Sequence, residues 1–319
     1  MNEYELIKKY FQKLSSNNPS SFKLNDDVFF CKKNKLVVSV DTYNEGVHFP
    51  NFKLPNLVIK KVLRSSISDL ICKGVKPNFY FISGSGNKKS FTKKNLNLIS
   101  KSLREEQKKF NIKLSGGDTT NSSKVSFSIT TIGFSNKIIQ RNNAKINDDI
   151  YVTGNIGDSF IGLKIIKNKI HINKKLQKYF IKKYYCPDIP YKITNHLNTF
   201  ANTSMDISDG LIGDIKKLIN NLNLSFEIYL DQIPISVPLK TYLRNSNKKK
   251  EKYLFNGDDY QTLFTAHKKF RKFIKNLSIR KNQKITIIGK INSNSKNNVL
   301  LSSNHRNILT DYQGYFHKF

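Results

Sequence analysis

The aspartates of this chain are the residues whose type and spacing most clearly indicate chemistry, because acidic side chains are scarce in it. Only 23 of its 319 residues are Asp or Glu, against 55 Lys and Arg. Nine of these acids lie at or near the ends of predicted helices and strands: Asp26, Asp27, Asp41, Asp69, Asp118, Asp206, Asp209, Asp258 and Asp259. Gathered carboxylates repel one another unless cations neutralise them, and aspartates with water and phosphate oxygens are the usual ligands of Mg²⁺. The sequence therefore predicts that these acids converge on one magnesium site used for phosphate chemistry.

The simpler interpretation of any single aspartate is a helix cap or a turn, since Asp occupies those positions most often. Two of the aspartates are not explained in this way. Asp69 lies inside a predicted helix, where capping gives no reason for it. Asp206 precedes the helix that begins at Leu211, for which Ser208 or Asp209 could be the N-cap, so Asp206 needs another role.

Glycine-rich segments add a second signal for anions. Gly116-Gly117-Asp118-Thr119-Thr120 places two glycines before an acid and two hydroxyls, and a backbone without side chains can approach an anion closely. Gly84-Ser85-Gly86 lacks the spacing of a phosphate-binding loop and is interpreted as a glycine-rich turn. The chain has no GxxxxGKS or GxxxxGKT loop, no protein-kinase HRD or DFG set, no HExxH and no GxSxG. Hydrolysis by a zinc site or a serine triad is therefore unsupported.

Alternating helices and strands would position these residues. Apolar spacing predicts helices over 6–14, 57–73 and 96–110, the first of them a packing element, and strands over 36–40, 79–82 and 125–134. The second half repeats the alternation, with helices over 176–185 and 211–222 and strands over 149–152, 226–230, 262–265 and 285–291. The polar stretch 141–149 marks the predicted domain boundary, and the polar stretches 248–250 and 292–298 are interpreted as solvated loops. Two α/β layers side by side account for this order better than an all-helical or all-β fold.

The formal charge of +32 admits a different class of function. A basic nucleic-acid-binding protein would concentrate Lys and Arg with interleaved aromatic residues on one surface. Here the lysines are spread almost evenly along the chain, so no specific nucleic-acid partner is expected. Dilute salt would still permit non-specific affinity for nucleic acid.

The cysteines and the hydropathy pattern indicate the compartment. Cys31, Cys72 and Cys186 are odd in number, far apart and in no CxxC pair, which predicts reduced thiols rather than disulfides or a zinc ribbon. No uninterrupted apolar run is long enough to span a bilayer, and the amino terminus lacks the apolar core of a signal peptide. We therefore expect a cytoplasmic protein with no membrane partner.

Taken in order, the motifs resemble one family, the thiamine-monophosphate kinases of the aminoimidazole-ribonucleotide-synthetase-like superfamily. No single motif is decisive, but their number and order are specific. They are Asn25-Asp26-Asp27, Ser39-Val40-Asp41, Glu45-Gly46-Val47-His48-Phe49, Ser66-Ile67-Ser68-Asp69-Leu70 with Gly74 and Pro77, the glycine-rich Gly116 to Thr120, Arg141 to Lys145, Tyr151 to Gly154 with Gly157-Asp158-Ser159, Asp206 to Leu211, and Gly257-Asp258-Asp259-Tyr260.

The resemblance implies a two-domain α/β (α+β) architecture. Residues 1–140 would form an N-terminal mixed-sheet domain that binds ATP and metal and dimerises, and residues 141–319 a C-terminal α/β domain that completes the cleft. A homodimer would form by joining the N-terminal sheets. The implied reaction is transfer of the γ-phosphoryl group of ATP to thiamine phosphate, giving thiamine diphosphate, with several Mg²⁺ ions as cofactors.

The resemblance also assigns roles by position. The positions that match its metal ligands are Asp27, Ser39, Asp41, Asp69, Asp118, Asp206 and Asp209. The positions that match its nucleotide contacts are Gly117, Asp118, Arg141 and Ser208. Those that match contacts to thiamine phosphate are His48, Asp258 and Tyr315, the last resting on the short match Gly314-Tyr315-Phe316. No side-chain nucleophile or base is expected, because the attacking phosphate oxygen is already ionised near neutral pH.

Four departures from the family pattern accompany these matches. Asn25, with no glycine before it, alters the first acidic loop, and Val40 replaces the usual threonine beside Asp41. Asn142-Asn143 replace Ser-Gly after Arg141, and Asp258 stands where glutamate is usual. The aspartates at the metal positions remain, so we expect a working enzyme. An alternative is another ATP-using member of the superfamily, such as an aminoimidazole-ribonucleotide or selenophosphate synthetase. The segments 45–49, 116–120 and 257–260 favour the kinase, and no Cys or Sec loop near the amino terminus supports the selenium branch.

Overall fold

Two mixed sheets organise the computed structural model of this protein, which describes residues 1–294, 297–302, 304 and 306–308. The first sheet has the strand order β1-β2-β5-β3-β4. Its strands are β1 (Phe29–Cys31), β2 (Leu36–Asn44), β3 (Pro77–Gly86), β4 (Lys113–Asn121) and β5 (Ser126–Phe134). β3 and β4 run parallel and the other neighbours run antiparallel, which confirms the predicted N-terminal mixed sheet.

Two long helices cover one face of this sheet. The helices of this half are the short α1 (Glu3–Leu6), then α2 (Pro55–Cys72) and α3 (Lys93–Phe110). Side chains of a strand alternate between the two faces, and those that point toward the helices are buried. Val58 and Val62 of α2 pack there with Tyr80 of β3 and Ile129 of β5. Burial of these apolar side chains fixes both the position of α2 and the register of the strands beneath it.

The opposite face of the first sheet is open and partly apolar. Val40 is 65% exposed and Phe134 51%, and Phe79 and Phe81 are exposed beside them. Contiguous exposed apolar side chains on a sheet face are typical of a surface that binds another protein.

The second sheet has the strand order β11-β8-β10-β6-β9-β7. Its strands are β6 (Asp149–Thr153), β7 (Ala201–Asp206), β8 (Leu224–Tyr229), β9 (Thr262–Ala266), β10 (Ile285–Ser293) and β11 (Val299–Leu301). The helices of this half are α4 (Asp158–Ile166), α5 (Lys174–Tyr185), α6 (Thr194–Phe200), α7 (Leu211–Leu218), α8 (Val237–Ser246), α9 (Glu251–Leu254) and α10 (Arg271–Lys281). This arrangement confirms the predicted α/β class of the second half.

Helix α2 joins the two halves through one polar stripe. Lys61, Arg64 and Ser68 are spaced so that they lie on one side of the helix. Arg64 donates to the carbonyl of Pro187 at 3.0 Å, and Ser68 donates to Asp206. At the end of the helix, Lys73 donates to the carbonyl of Ser204 at 2.8 Å. This buried polar stripe of α2 therefore holds the second sheet against the first.

Several local predictions are wrong. The segment 6–14 is helical but irregular, and Tyr10 and Phe11 are exposed, so it is not a packing element. Gly84-Ser85-Gly86 belongs to β3 rather than to a turn. Lys250 is half-buried and donates to the carbonyls of Leu230 and Ile233 at 2.7 Å each, so the stretch 248–250 is not simply solvated.

Of the four strands that were missed, β1, β4, β7 and β11, two have sequences that lack strand character. β4 contains the predicted anion-binding glycines, and Gly is depleted in strands. β7 begins with the short polar run Ala-Asn-Thr-Ser before Met205 and Asp206. Both strands are placed by pairing with a neighbour, which a local pattern does not reveal.

Candidate active site

Three carboxyl groups from three elements meet between the two sheets. Asp41 lies on β2, Asp69 on α2 and Asp206 at the end of β7. The Ser39 hydroxyl donates to Asp69 at 2.5 Å, and the Ser68 hydroxyl donates to Asp206. We call Asp41, Asp69 and Asp206 the acidic core.

The acidic core resists full ionisation. Burial raises the pKa of Asp41 to about 6, although hydrogen bonds from Tyr43 and Ser66 oppose the rise. Burial raises the pKa of Asp206 to about 7, and the charges of Asp214 and Asp41 add to it. Burial, and then the charges of Asp41 and Asp206, raise the pKa of Asp69 well above its usual range. A divalent cation would relieve this repulsion, which is the behaviour expected of metal ligands.

A second carboxylate pair lies next to the acidic core and is compensated by cations. The ammonium of Lys73 lies 2.8 Å from Asp26 Oδ1 and 2.8 Å from Asp27 Oδ2. Burial alone would lower the pKa of Lys73, but the carboxylate of Asp26 outweighs it and the pKa is raised. The charge of Lys73 also acts on Asp69, so this pair and the acidic core form one electrostatic unit.

Arg141 anchors this pair at the start of the second half of the chain. Its side chain binds both oxygens of Asp27, with Nε 3.1 Å from Oδ2, and its backbone N–H donates to Asp26 at 2.9 Å. The Arg141 and Asp27 side chains are 12% and 10% exposed, so this ion pair is largely buried rather than on the surface. Arg141 therefore lies at the acidic loop, where a phosphate bound to the same unit would meet it.

Asp209 and Ser208 occupy the loop between β7 and α7. Asp209 is bound by the ammonium of Lys217, and Asp214 lies fully buried beneath them. Asp214 accepts the backbone N–H groups of Asp209 and Gly210 at 3.1 Å each, and burial raises its pKa to about 6. The N-cap position of α7 is Gly210, so the predicted cap at Ser208 or Asp209 is wrong. Asp214 instead binds the free N–H groups before the helix from within its first turn.

Two glycines bring this loop against the segment 255–260. A Cβ on Gly257 would lie 1.7 Å from the carbonyl oxygen of Ser208, and one on Gly210 would lie 2.1 Å from that of Phe255. The backbone N–H of Asp258 donates to the Ser208 carbonyl at 2.9 Å. Only glycine permits this close approach, which places Asp258 beside the loop that follows Asp206.

Asp258 and His48 lie on the side of the acidic core away from Arg141. Lys61 of α2 and the hydroxyl of Tyr260 bind Asp258. The ring of Tyr184 lies beneath Lys61, and its hydroxyl donates to the carbonyl of His48 at 2.9 Å. The His48 ring meets Tyr43, a neighbour of Asp41, edge-on at 5.6 Å between centroids. Tyr184 thus connects the two positions at which a substrate contact is predicted.

Asp118 and Gly117 are not brought to the acidic core within this chain. Asp118 pairs in register with Ser83, which pairs with Ser128, which pairs with Thr42. Three strand spacings separate Asp118 from Thr42 across the sheet, or about 14 Å. Asp41 points toward α2, whereas Asp118 shares the open face with Thr42 and Ser128. Gly117 is required by packing, because a Cβ there would lie 1.8 Å from the carbonyl oxygen of Ile82.

Asp259 has a structural role, which the prediction of one shared acidic site did not foresee. It is buried, and its carboxylate accepts the N–H groups of Gly157 at 2.7 Å and Ser159 at 3.4 Å, so it caps α4. Burial raises its pKa to about 8. Tyr315 lies outside the described residues.

The donor set fits Mg²⁺ in its chemistry. Within the described part of the chain, no group of three or more His, Cys, Asp or Glu side chains is arranged to hold a metal ion by itself. The acidic core offers oxygen donors alone, which suit a hard cation whose other ligands are phosphate oxygens and water. Its raised pKa values are the independent sign that positive charge would stabilise it.

Sequence reasoning missed the cations and the buried acid that complete this region. Lys61, Lys73 and Asp214 are buried polar side chains, and no motif distinguishes them from the other charged residues of a lysine-rich chain. The one sequence feature that set any of these residues apart was the position of Lys73, directly before the predicted helix stop at Gly74. Over the described residues, no helix is long and apolar enough to cross a membrane.

Comparisons with known proteins identify relatives of this chain. Residues 25–135 match the family model described as AIR synthase related protein, N-terminal domain. The thiamine-monophosphate kinase of Buchnera aphidicola subsp. Schizaphis graminum is 34% identical over 328 residues, covering 99% of this chain and 98% of that protein. The enzyme of the same name from Aquifex aeolicus is 30% identical, covering 76% of this chain and 78% of its own length.

A solved structure has the same fold over nearly the whole chain. AaThiL complexed with AMPPCP and TMP superposes with a TM-score of 0.86 and 25% identity, covering 99% of this chain and 97% of that one. The match spans both sheets, so the two-domain α/β architecture of that structure is also the architecture of this chain.

Proposed function

This chain belongs to the thiamine-monophosphate kinase family, and from that membership we propose that it transfers the γ-phosphoryl group of ATP to thiamine phosphate. The products are thiamine diphosphate and ADP. The observation that carries the proposal is that Asp41, Asp69 and Asp206 lie together in the acidic core, where their charges repel one another. The sequence separates these three residues by up to 165 positions. A relative of the same fold binds AMPPCP, an analogue of ATP, together with TMP.

Mg²⁺ is the cation that this donor set suits. We assign it to Asp27, Ser39 and the acidic core, with Asp209 on the adjoining loop. When bound, Mg²⁺ supplies positive charge that screens the phosphate groups of the two substrates from each other and stabilises the transferring group.

The residues of the chain bind and orient the reactants. The guanidinium edge of Arg141 that does not bind Asp27 offers a planar pair of donors to phosphate oxygens, and Ser208 lies on the loop that would border the nucleotide. An oxygen of thiamine phosphate forms the new bond to the γ-phosphorus, while the bond from that phosphorus to the β–γ bridging oxygen breaks. Because the attacking oxygen is already ionised near neutral pH, no side chain has to remove a proton. Catalysis then consists of positioning and charge stabilisation.

We assign His48, Asp258 and Tyr315 to the thiamine phosphate end of the site. The support for His48 and Asp258 is their common link to Tyr184, next to the acidic core. Asp258 is shorter than the glutamate that is usual in the family. It still forms an ion pair with Lys61 and accepts a hydrogen bond from the Tyr260 hydroxyl.

A homodimer formed through the open face of the first sheet would complete the site. That face exposes Val40 and Phe81 in the row next to the one that holds Asp118, and the same chain cannot turn Asp118 toward its own acidic core. A second copy packed on this face would cover the apolar residues and could bring its own Asp118 and Gly117 to the site. We therefore propose that Asp118 and Gly117 contact the nucleotide and metal bound at the acidic core of the neighbouring subunit.

We also propose that the protein is cytoplasmic. The three cysteines are free, and Cys72 and Cys186 are buried, which suits the reducing cytoplasm. The domains would divide at residues 140 and 141, where Arg141 begins the second half. We propose no specific nucleic-acid partner and no membrane partner.

The test is a reaction of the purified full chain with ATP, Mg²⁺ and thiamine phosphate. We expect thiamine diphosphate and ADP in equal amounts, and no product when EDTA removes the metal or when unphosphorylated thiamine replaces thiamine phosphate. Thiamine diphosphate is measured by oxidation to its fluorescent thiochrome derivative after chromatography. Release of phosphate from ATP without thiamine diphosphate would overturn the proposal.

A further inference from the structure

Lys61 is a buried cation that the proposed reaction does not yet use. It lies in the middle of α2 and its side chain is 1% exposed, whereas the side chain of its partner Asp258 is 26% exposed. The two residues are 197 positions apart and belong to different halves of the molecule. A lysine is almost never fully buried unless a partner compensates its charge, so this pairing is a specific feature of the fold.

The surroundings of Lys61 hold its ammonium in one place. The ammonium lies 4.1 Å from the centroid of the Tyr184 ring and 5.3 Å from that of Tyr260. Two aromatic faces and one carboxylate thus replace its water shell. Burial lowers the pKa of Lys61, and the carboxylate of Asp258 opposes that change.

The contacts on Asp258 are one-sided. Lys61 donates to Oδ1, and the Tyr260 hydroxyl donates to Oδ1 at 3.2 Å. Among the described residues both of these bonds fall on the same oxygen. Oδ2 of a partly exposed carboxylate is therefore left as an acceptor for a ligand. The aminopyrimidine ring of thiamine phosphate carries an amine donor, and its thiazolium ring carries a positive charge, and both suit a carboxylate oxygen.

We propose that Lys61 is a positioning residue that fixes Asp258 through Oδ1 and so presents Oδ2 to the thiamine part of the substrate. This inference rests on the proposed function. Lys61 would then govern the binding of thiamine phosphate and leave the binding of ATP, at the other side of the acidic core, nearly unchanged. A bond that only clamps the two halves together would disturb both substrates alike.

The test compares steady-state constants of K61M, D258N and the double variant K61M/D258N. Met replaces the lysine with a side chain of similar length and no charge. In K61M we expect the KM for thiamine phosphate to rise about tenfold, with the KM for ATP within about twofold of the wild type. Calorimetric titration with thiamine phosphate alone gives the same comparison without turnover.

The double variant separates positioning from packing. If Lys61 acts through Asp258, K61M/D258N has the same KM for thiamine phosphate as D258N, so the two effects are not additive. A further rise in the double variant, or an equal rise in the KM for ATP in K61M, overturns the inference. K60M is the matched control, because Lys60 is the neighbouring lysine and pairs with the half-exposed Glu105. We expect it to behave as the wild type.

Failures of folding and of function remain distinguishable from a failure of the inference. K61M leaves only the partly exposed Asp258 unpaired, whereas D258N leaves Lys61 buried without its carboxylate. If D258N does not fold, the KM values of K61M for thiamine phosphate and for ATP still decide. If K61M does not fold, the comparison of D258N with K61M/D258N decides. Wild-type protein that makes no thiamine diphosphate refutes the proposed function. Wild-type protein that makes it, with additive effects of K61M and D258N, refutes only the role of Lys61.

Discussion

At the scale of single residues, the ionised carboxylates of the acidic core destabilise the fold, and the same carboxylates are the ones proposed to bind the cation. Asp206 is 4% exposed, and its pKa of about 7 in the fold lies above the usual value of 3.8. A folded pKa raised in this way makes ionisation unfavourable to the fold. The destabilisation is absent near pH 4, grows as the pH rises above the unfolded value, and levels off above about pH 7.

The variant D206N is therefore expected to be more stable than the wild type and far less active. Asn keeps an oxygen that can accept from Ser68 but carries no charge. Without metal at pH 8, the free energy of unfolding should rise by on the order of 2 kcal/mol, with no gain near pH 4. Urea denaturation in EDTA at pH 4, 6 and 8 measures this, and kcat/KM should fall at least about 100-fold. A loss of stability at pH 8 would contradict the assignment of strain to this carboxyl.

The residue types in the sequence indicated which acids to consider, but not which of them lie together in the fold. Asp69 was recognised because an aspartate inside a predicted helix has no capping role, and the structure places it in the acidic core. Asp259 was grouped with it as an acid near the end of a predicted element, and it proved to cap α4. The difference depends on which loop packs against which helix, and neighbours along the chain do not encode it. Lys61 and Lys73 were missed for the same reason.

At the scale of elements, two close-packed loops set the geometry of the site. The loop after β7 and the segment 255–260 approach so closely that Gly257 has no room for a side chain. Helical and strand periods predicted α2, α3, α5, β5 and β10 well, because apolar side chains recur along each of them. They did not predict β4 or the contact between these loops, which depend on hydrogen bonds to partners distant in sequence.

The variant G257A tests this contact. A Cβ at position 257 must displace the Ser208 carbonyl, which carries with it the bond from Asp258. We expect a loss of about 1–3 kcal/mol in the free energy of unfolding and a fall of about tenfold or more in kcat/KM. G84A is the control, because its Cβ would meet only aromatic side chains at 3.3 Å or more. Chemical denaturation and the coupled ADP assay measure the two effects. Equal behaviour of G257A and G84A would show that the close approach is unimportant.

At the scale of the whole molecule, one sheet serves two purposes on its two faces. The covered face carries Asp41 toward α2, and the open face carries Asp118 beside exposed apolar side chains. Sequence reasoning assigned both Asp41 and Asp118 to one metal site, because a sequence shows the order of residues along the chain but not which face of a sheet each one occupies. Alternation within a strand places neighbouring residues on opposite faces, so a single chain separates what the motif pattern groups together.

Mixed dimers decide whether two chains share one site. In a dimer of D41N and D118N subunits, a shared site would combine the intact Asp41 of one subunit with the intact Asp118 of the other. One of the two sites would then be complete, and the heterodimer, isolated with two different affinity tags, should have about half the wild-type activity although both homodimers are inactive. A heterodimer of D41N and D69N is the control, because both substitutions alter the acidic core and no complete site can form. An inactive D41N/D118N heterodimer would show that Asp118 does not serve the neighbouring subunit, and the open face would then need a different occupant to explain its apolar residues.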